Sequence, residues 1–177
     1  MGLYSRTDQG PIVRIAPLVM AGIGLSAIGF SMISTLPERL IWNRTGSVPQ
    51  GLYWLSDEPF TKGGWVVVSA RSAEAQWAEL HGFVGEDWPL LKRVAGVPGD
   101  EICRDGVTVL INGMPVGEAL IESGNGVVLP SWNGCVRVSE DEIFLMNVHP
   151  KSLDGRYFGI TSARDIEGSA ILLLRAP

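Results

Sequence analysis

Two hydrophobic regimes divide the chain. From Ile15 to Pro37 no charged side chain interrupts the run IAPLVMAGIGLSAIGFSMISTLP. A helix rises about 1.5 Å per residue, so roughly 20 such residues cross a bilayer core of about 30 Å. A helix buried in a soluble core is rarely this long without a charge, and the run predicts a membrane span. A cleaved signal peptide is the competing reading. Its apolar region is usually about 7–15 residues and ends in a small-x-small site, whereas this run closes on Leu36-Pro37-Glu38-Arg39. Pro17, Gly22, Gly24 and Gly29 weaken a helix but are tolerated in membrane spans. The predicted organisation is an N-terminal segment over 1–14, an uncleaved transmembrane signal-anchor over 15–37 and one domain over 38–177. Arg6 and Arg14 precede the span while Arg39 and Arg44 follow it, so charge leaves the orientation close to a tie.

Past the span the pattern shortens to period two. GLYWL (51–55), GWVVVSA (64–70), LLKRVA (90–95), EICRDG (101–106), VTVLING (107–113), CVRV (135–138), EIFLMNV (142–148) and SAILLLR (169–175) are β-branched or aromatic runs bounded by Gly, Pro and Asp. Val107, Val109 and Ile111 alternate ahead of Asn112-Gly113, a strong hairpin signal. One segment, SAEAQWAELHGF (72–83), predicts a helix: Ser72 is placed as N-cap, Glu74 suits the first turn, and Ala73, Trp77 and Leu80 share a face. The fold class expected is mainly β and antiparallel, with one short helix, behind a single N-terminal transmembrane helix.

Composition narrows the functional classes. A length of 177 residues suits one ordinary domain, and a net charge of −5 without a basic block gives no nucleic-acid footprint. The two cysteines, Cys103 and Cys135, have no further Cys or His at metal-site spacing, so no metal or cofactor is expected. An even pair beyond the span fits one disulfide in an oxidising compartment, worth about 3–4 kcal/mol; two separate buried thiols are the alternative.

Candidate chemistry starts from what is scarce. Of two histidines, His81 lies near the end of the predicted helix as a surface or capping residue, and His149 precedes Pro150 in a loop near Ser152. No G-x-S-x-G elbow, HExxH or Walker loop occurs. Lysine is nearly as rare. Lys62 sits beside Gly63-Gly64 in a turn and reads as solvated. Lys92 differs, because strand alternation puts it on one face with Leu90 and Val94. Drawn out of water there, its amine loses proton affinity and becomes a competent general base; the alternative is an edge lysine reaching solvent. Ser47 stands in TGSVPQGLYW (45–54), a stretch that by itself reads as a turn. A third cluster, HPKSLDGRYFGI (149–160), places Ser152 ahead of an Asp154-Gly155 turn, with Asp154 and Arg156 spaced for an ion pair.

In this order the pieces resemble the signal-peptidase family of membrane-anchored Ser-Lys proteases (peptidase family S26). The matching pattern is a span, a Ser near a Pro, KRVAGVPGD (92–100) and SLDGRYFG (152–159). It covers most of the chain past residue 40 but little of 70–88 and 112–134. Leader peptidases usually follow the nucleophile with Met and place Pro three residues on, where this chain has Val48 and Pro49. They also tend to carry Gly-Asp-Asn-Arg where Met146-Asn147-Val148-His149 stands. These departures, with Gly51-Leu52-Tyr53-Trp54, resemble the conjugative-transfer branch known as TraF peptidases, which process a pilin precursor and in some members join its ends into a ring.

The resemblance implies Ser47 as nucleophile, Lys92 as general base, Ser152 as the serine that orients the lysine, and Asp154 with Arg156 as a bracing ion pair. Thr45 would help bind the oxyanion beside the backbone N–H of Ser47. It implies no cofactor and a catalytic domain on the periplasmic side of a bacterial inner membrane. The partners implied are a membrane-embedded pilin precursor, the lipid bilayer and other proteins of a conjugation apparatus. A general leader peptidase of secreted proteins and a non-catalytic membrane-tethered β scaffold are the competing functions.

Overall fold

The computed structural model describes residues 11–33 and 39–176, with side chains of the first helix described over 17–29. Internal packing divides the chain into two units, 1–37 and 38–177. The first holds helix α1 (Pro11–Ile33), which carries Pro17 inside it. Among the described residues no helix is long and apolar enough to cross a membrane. Of the expected span over 15–37, residues 34–37 lie outside the described residues, as do residues 1–10 of the expected N-terminal segment.

The second unit is mainly β, and every strand pairing is antiparallel. Its strands are β1 (Leu40–Asn43), β2 (Gly51–Ser56), β3 (Trp65–Val68), β4 (Leu90–Gly96), β5 (Glu101–Asp105), β6 (Thr108–Ile111), β7 (Met114–Glu118), β8 (Gly134–Arg137), β9 (Glu142–Leu145), β10 (Ile160–Ser162) and β11 (Ile166–Arg175). They form a seven-stranded sheet in the order β1-β2-β11-β3-β4-β9-β10 and a four-stranded sheet in the order β7-β6-β5-β8.

Burial explains the sequence pattern strand by strand. In β4, Leu90, Lys92 and Val94 point inward while Arg93 points out, as alternation requires. In β3, Val66, Val67 and Val68 are all buried because apolar clusters cover both faces of this central strand. Val66 and Val68 pack with Leu90, Val94 and Leu145, and Val67 packs with Tyr53, Leu55 and Ala170. The smaller sheet packs Ile102, Val109 and Ile111 on Phe144. Its β6–β7 hairpin turns at Asn112 and Gly113, both at positive φ (52° and 78°), which the twist of paired strands favours. Cys103 and Cys135 face each other across β5 and β8 and are joined in a disulfide.

The VPGD turn shows why its motif ends in Asp. Asp100 Oδ2 accepts from Val97 N at 3.0 Å and from Lys62 Nζ at 2.7 Å, and Oδ1 accepts from Asn112 Nδ2 at 2.7 Å. Lys62, expected to be solvated, is half-exposed and spends its charge here. The end of β4 is thereby fastened to the neighbouring hairpin.

Four expectations change. Strands β1, β7 and β10 are additions to the predicted set. The strand expected over 142–148 stops at Leu145, because Met146 and Asn147 leave the ladder for the loop described below. Helix α2 (Ala73–Leu80) forms with Ser72 as N-cap, its Oγ accepting from Ala75 N at 3.1 Å, but it buries Ala75 and Ala78 instead of the Ala73, Trp77 and Leu80 face. Leu80 is 81% exposed. Small residues let this two-turn helix lie close on the sheet, and Trp77 turns aside to pack on Phe83 and Phe158. The single short helix expected is joined by a one-turn helix, α3 (Gly155–Phe158), capped by Asp154. A Cβ on Gly155 would lie 2.6 Å from Phe144 Cε2 and 2.7 Å from Leu145 O, so only glycine admits α3 this close to β9.

Candidate active site

Ser47 sits in the loop joining β1 to β2, and a buried asparagine at the end of β1 shapes that loop. Asn43 Oδ1 accepts from Thr45 N at 3.0 Å and from Thr45 Oγ1 at 2.7 Å. Its Nδ2 donates to the carbonyls of Thr45 (3.0 Å), Val48 (3.3 Å) and Pro49 (3.1 Å). Tyr53 Oη donates to Pro49 O at 2.7 Å, and buried Val48 anchors the return. The turn that looked ordinary in sequence is therefore held from inside at Thr45, Val48 and Pro49. Thr45 Oγ1 lies 3.4 Å from Ser47 Oγ. Because the threonine hydroxyl proton is given to Asn43, the hydrogen shared with Ser47 comes from the serine. As an oxyanion donor, Thr45 would have to exchange its Asn43 bond.

Lys92 is the buried cation of β4, 7% exposed. Burial pulls its amine down from 10.5 to about 8; Asp154 opposes that, Arg156 adds to it, and Glu74 opposes it. The lysine expected to be desolvated is so.

A second asparagine ties the strand to the SLDGRYFG loop. Asn147 is 1% exposed. Its Oδ1 accepts from Arg93 N at 2.8 Å, and its Nδ2 donates to Leu91 O at 3.4 Å and Ser152 Oγ at 3.2 Å. One side chain thus clamps the backbone on both sides of Lys92. Its own N–H donates to Asp154 Oδ2 at 3.0 Å, and its carbonyl accepts from Arg156 Nη2. Arg156 also donates to Pro150 O at 2.7 Å and His149 O at 3.1 Å. Its Nε lies 3.2 Å from Asp154 Oδ1, a charge contact without hydrogen-bond alignment. Burial pushes the Asp154 carboxyl up, against the pull of Arg156, Lys92 and the amides of Asn147 and Arg156.

The pieces meet at one cavity of about 660 Å³ lined by Ser47, Thr45, Lys92 and Ser152, with Leu91, Phe83 and Trp88 among its apolar walls. That volume falls in the range of about 300–1,000 Å³ usual for ligand sites. Asp154 and Arg156, spaced in the sequence for an ion pair, form one that is buried and does not line this cavity. The hydrogen bond at Ser152 Oγ is with Asn147 Nδ2, and Ser152 shares with Lys92 only the lining of the cavity. His149 lines the cavity, with Nδ1 accepting from Lys151 N at 3.2 Å, whereas His81 caps α2 and stacks on Trp77. Cys103 and Cys135 are not among the lining residues. Among the described residues no group of three or more His, Cys, Asp or Glu side chains is placed to hold a metal ion.

Residues 12–174 match the profile described as signal peptidase, peptidase S26. The chain belongs to the signal peptidase family. It is thus a serine peptidase by family. A plasmid transfer protein TraF from Escherichia coli is 32% identical over 128 residues, covering 66% of this chain and 72% of the relative. A probable conjugal transfer protein TraF from Sinorhizobium fredii (strain NBRC 101917 / NGR234) is 30% identical over 182 residues, covering 95% and 92%. A crystal structure of a signal peptidase I from Enterococcus faecalis V583 aligns over 67% of this chain and 100% of its own, at 19% identity and a TM-score of 0.38, a likeness too slight to build on.

Sequence reading passed over Asn43 and Asn147. Asn43 had a usable signal, an Asn just ahead of a Gly-Ser-x-Pro turn, since Asn commonly bonds the backbone two residues on. Asn147 had only its place in a departure from the leader-peptidase pattern. Asn147→Ala leaves Arg93 N without its acceptor and Ser152 Oγ without its donor. It is expected to lower stability by about 2 kcal/mol and to cut catalytic rate about tenfold or more as Lys92 loses its backbone clamp, read by denaturant unfolding and by precursor cleavage.

Proposed function

We propose that this protein is a membrane-anchored serine endopeptidase that processes a conjugative pilin precursor through a Ser47–Lys92 dyad. The observation that carries the reading is a half-buried serine and a buried lysine, its amine near 8, lining one cavity in a chain of the signal peptidase family. The relatives named as plasmid and conjugal transfer proteins favour a pilin over secreted precursors in general.

In the reaction, neutral Lys92 takes the Ser47 hydroxyl proton as Oγ bonds to the scissile carbonyl carbon. The resulting oxyanion is met by the backbone N–H of Ser47 and by Thr45 once its hydroxyl turns from Asn43. The Lys92 ammonium then gives its proton to the departing amine, leaving an acyl-enzyme. Water attacking that ester yields a linear product; the substrate's own N-terminal amine, held nearer than water, yields a cyclic one. The substrate lies extended, and the outer edge of β1, whose pairing is with β2, offers a place for an added strand beside Ser47.

The apolar run over 15–37 anchors the domain in a bacterial inner membrane with the peptidase on the periplasmic side. The large exposure of Leu18, Met20 and Leu25 on α1 and the Cys103–Cys135 disulfide support this placement. There the bilayer and other conjugation-apparatus proteins would be its neighbours.

Mass spectrometry of the pilin made with wild-type and Ser47→Ala protein tests the reading. Ser47→Ala is expected to leave the precursor full length. A wild-type product one water lighter than the linear chain identifies cyclisation, and unchanged processing by a folded Ser47→Ala protein refutes the dyad.

A further inference from the structure

Three charged groups act on Lys92, and the SLDGRYFG motif supplies only two of them, Asp154 and Arg156. The third, Glu74, comes from the first turn of α2, in the stretch 70–88 that the family motifs leave unaccounted for. An acidic residue in a first turn is ordinary, because it complements the helix dipole. What is not ordinary is where this one reaches. Glu74 Oε1 accepts from Thr161 Oγ1 at 2.7 Å, and Thr161, on β10, is 3% exposed. Glu74, Thr161, Lys92 and Asp154 line a second cavity of about 10 Å³, close to the least that a single water needs, whose other walls include Val68, Leu145 and Phe158. Ser47 does not line it. Lys92, together with Leu90 and Leu153, lines both cavities, the one that holds Ser47 and the one that holds Glu74.

We propose that Glu74 is a positioning residue of the dyad: fixed by Thr161 behind Lys92, its carboxylate stabilises the ammonium that forms as Ser47 attacks. This deepens the Ser47–Lys92 reading and rests on it. Glu74 takes no proton; the serine proton stops on Lys92 Nζ and leaves on the departing amine. The other charged or titratable groups near the lysine are Asp154 and Arg156 and, on the larger cavity, Arg44, His149 and Lys151, and a change at Glu74 leaves all of them in the sequence.

Glu74→Gln keeps an acceptor oxygen for Thr161 and removes only the charge; Glu74→Ala is the second variant and Glu74→Asp the conservative control. The chain has three lysines, Lys62, Lys92 and Lys151, so NMR of ¹⁵N,¹³C-lysine-labelled full-length protein resolves the Lys92 titration, with Lys62→Arg and Lys151→Arg as assignments. In Gln and Ala variants the Lys92 midpoint is expected to fall by about half a pH unit, a size fitting a partly exposed partner. The rising limb of kcat/KM for precursor cleavage moves with it, while Glu74→Asp stays near wild type. A merely structural glutamate would lower rate without moving the limb. A folded Gln or Ala variant in which both midpoint and limb stay put overturns the role of Glu74 and leaves the dyad standing. A midpoint that falls while the limb does not overturns the proposal by showing that Lys92 is not the rate-setting base.

Discussion

Lys92→Met is expected to lose cleavage and gain stability at the same time. If Lys92 is the base proposed above, its loss removes the roughly 10²–10⁴-fold that positioned proton transfer contributes, and the precursor is expected to accumulate. Stability moves the other way because the buried amine is a burden on folding. It titrates near 10.5 when free of the fold and near 8 within it. Between those values unfolding takes up a proton, so wild-type stability rises as pH climbs from about 8 to 10.5, and below 8 the full cost is present. A displacement of that size corresponds to about 3 kcal/mol. Part of the gain is lost because Asp154 gives up a nearby cation, so an advantage of about 1–3 kcal/mol is expected for Lys92→Met at pH 7, fading above about pH 10. Denaturant unfolding at both pH values checks it. In the wild type the same titration is expected to make kcat/KM climb tenfold per unit of pH up to about 8. Equal stability of the two proteins at pH 7 would show that Lys92 is solvated and unfit as a base.

Arg156→Ala is expected to be the most destabilising single change in the site. The guanidinium is 1% exposed and donates to the carbonyls of Asn147, His149 and Pro150 while facing Asp154. Its removal strands the carbonyls of Asn147 and Pro150, while His149 O keeps the Ser152 N–H, and leaves a buried carboxylate without its main cation, a loss of about 3–5 kcal/mol. Asp154, already pushed up by burial, rises further. A carboxyl with a raised folded-state value keeps its proton longer in the fold than in the unfolded chain, so stability falls as pH passes upward through that range. The deficit of Arg156→Ala is therefore larger at pH 7 than near pH 4. Asp154→Asn in the same chain is expected to recover part of it at pH 7. Thermal unfolding of the single and double variants at both pH values decides the point, and a deficit independent of pH would show that lost backbone bonds alone are responsible.

Both predictions involve residues that sequence could name but not place. The period-two runs indicated an antiparallel β domain because burial on one face of a pleat imposes alternation, and β4 is the clear case: Leu90, Lys92 and Val94 fall on one side whatever the strand pairs with. Helix α2 was legible from Ser72 and its first turn, since caps are local. Its buried face was not, because which side of a two-turn helix meets a sheet depends on what the sheet offers, and here Ala75 and Ala78 permit the closer approach. The Asn112-Gly113 turn was fixed by backbone sterics, whereas short β1, β7 and β10 form only because neighbouring strands present partners.

The chain's sequence by itself determined which residues stand as candidates for the chemistry. Ser47, Lys92, Ser152, Asp154 and Arg156 stand in motifs whose order and spacing are one-dimensional facts. Tertiary structure alone decided how they are held. Asn43 gathers the serine loop, Asn147 clips β4 on either side of the lysine, and Glu74 arrives behind Lys92 through a bond to Thr161, residue partners up to 87 positions apart. Such contacts leave no periodicity to read, because an asparagine or glutamate that bonds across the fold looks, along the chain, like any other polar residue.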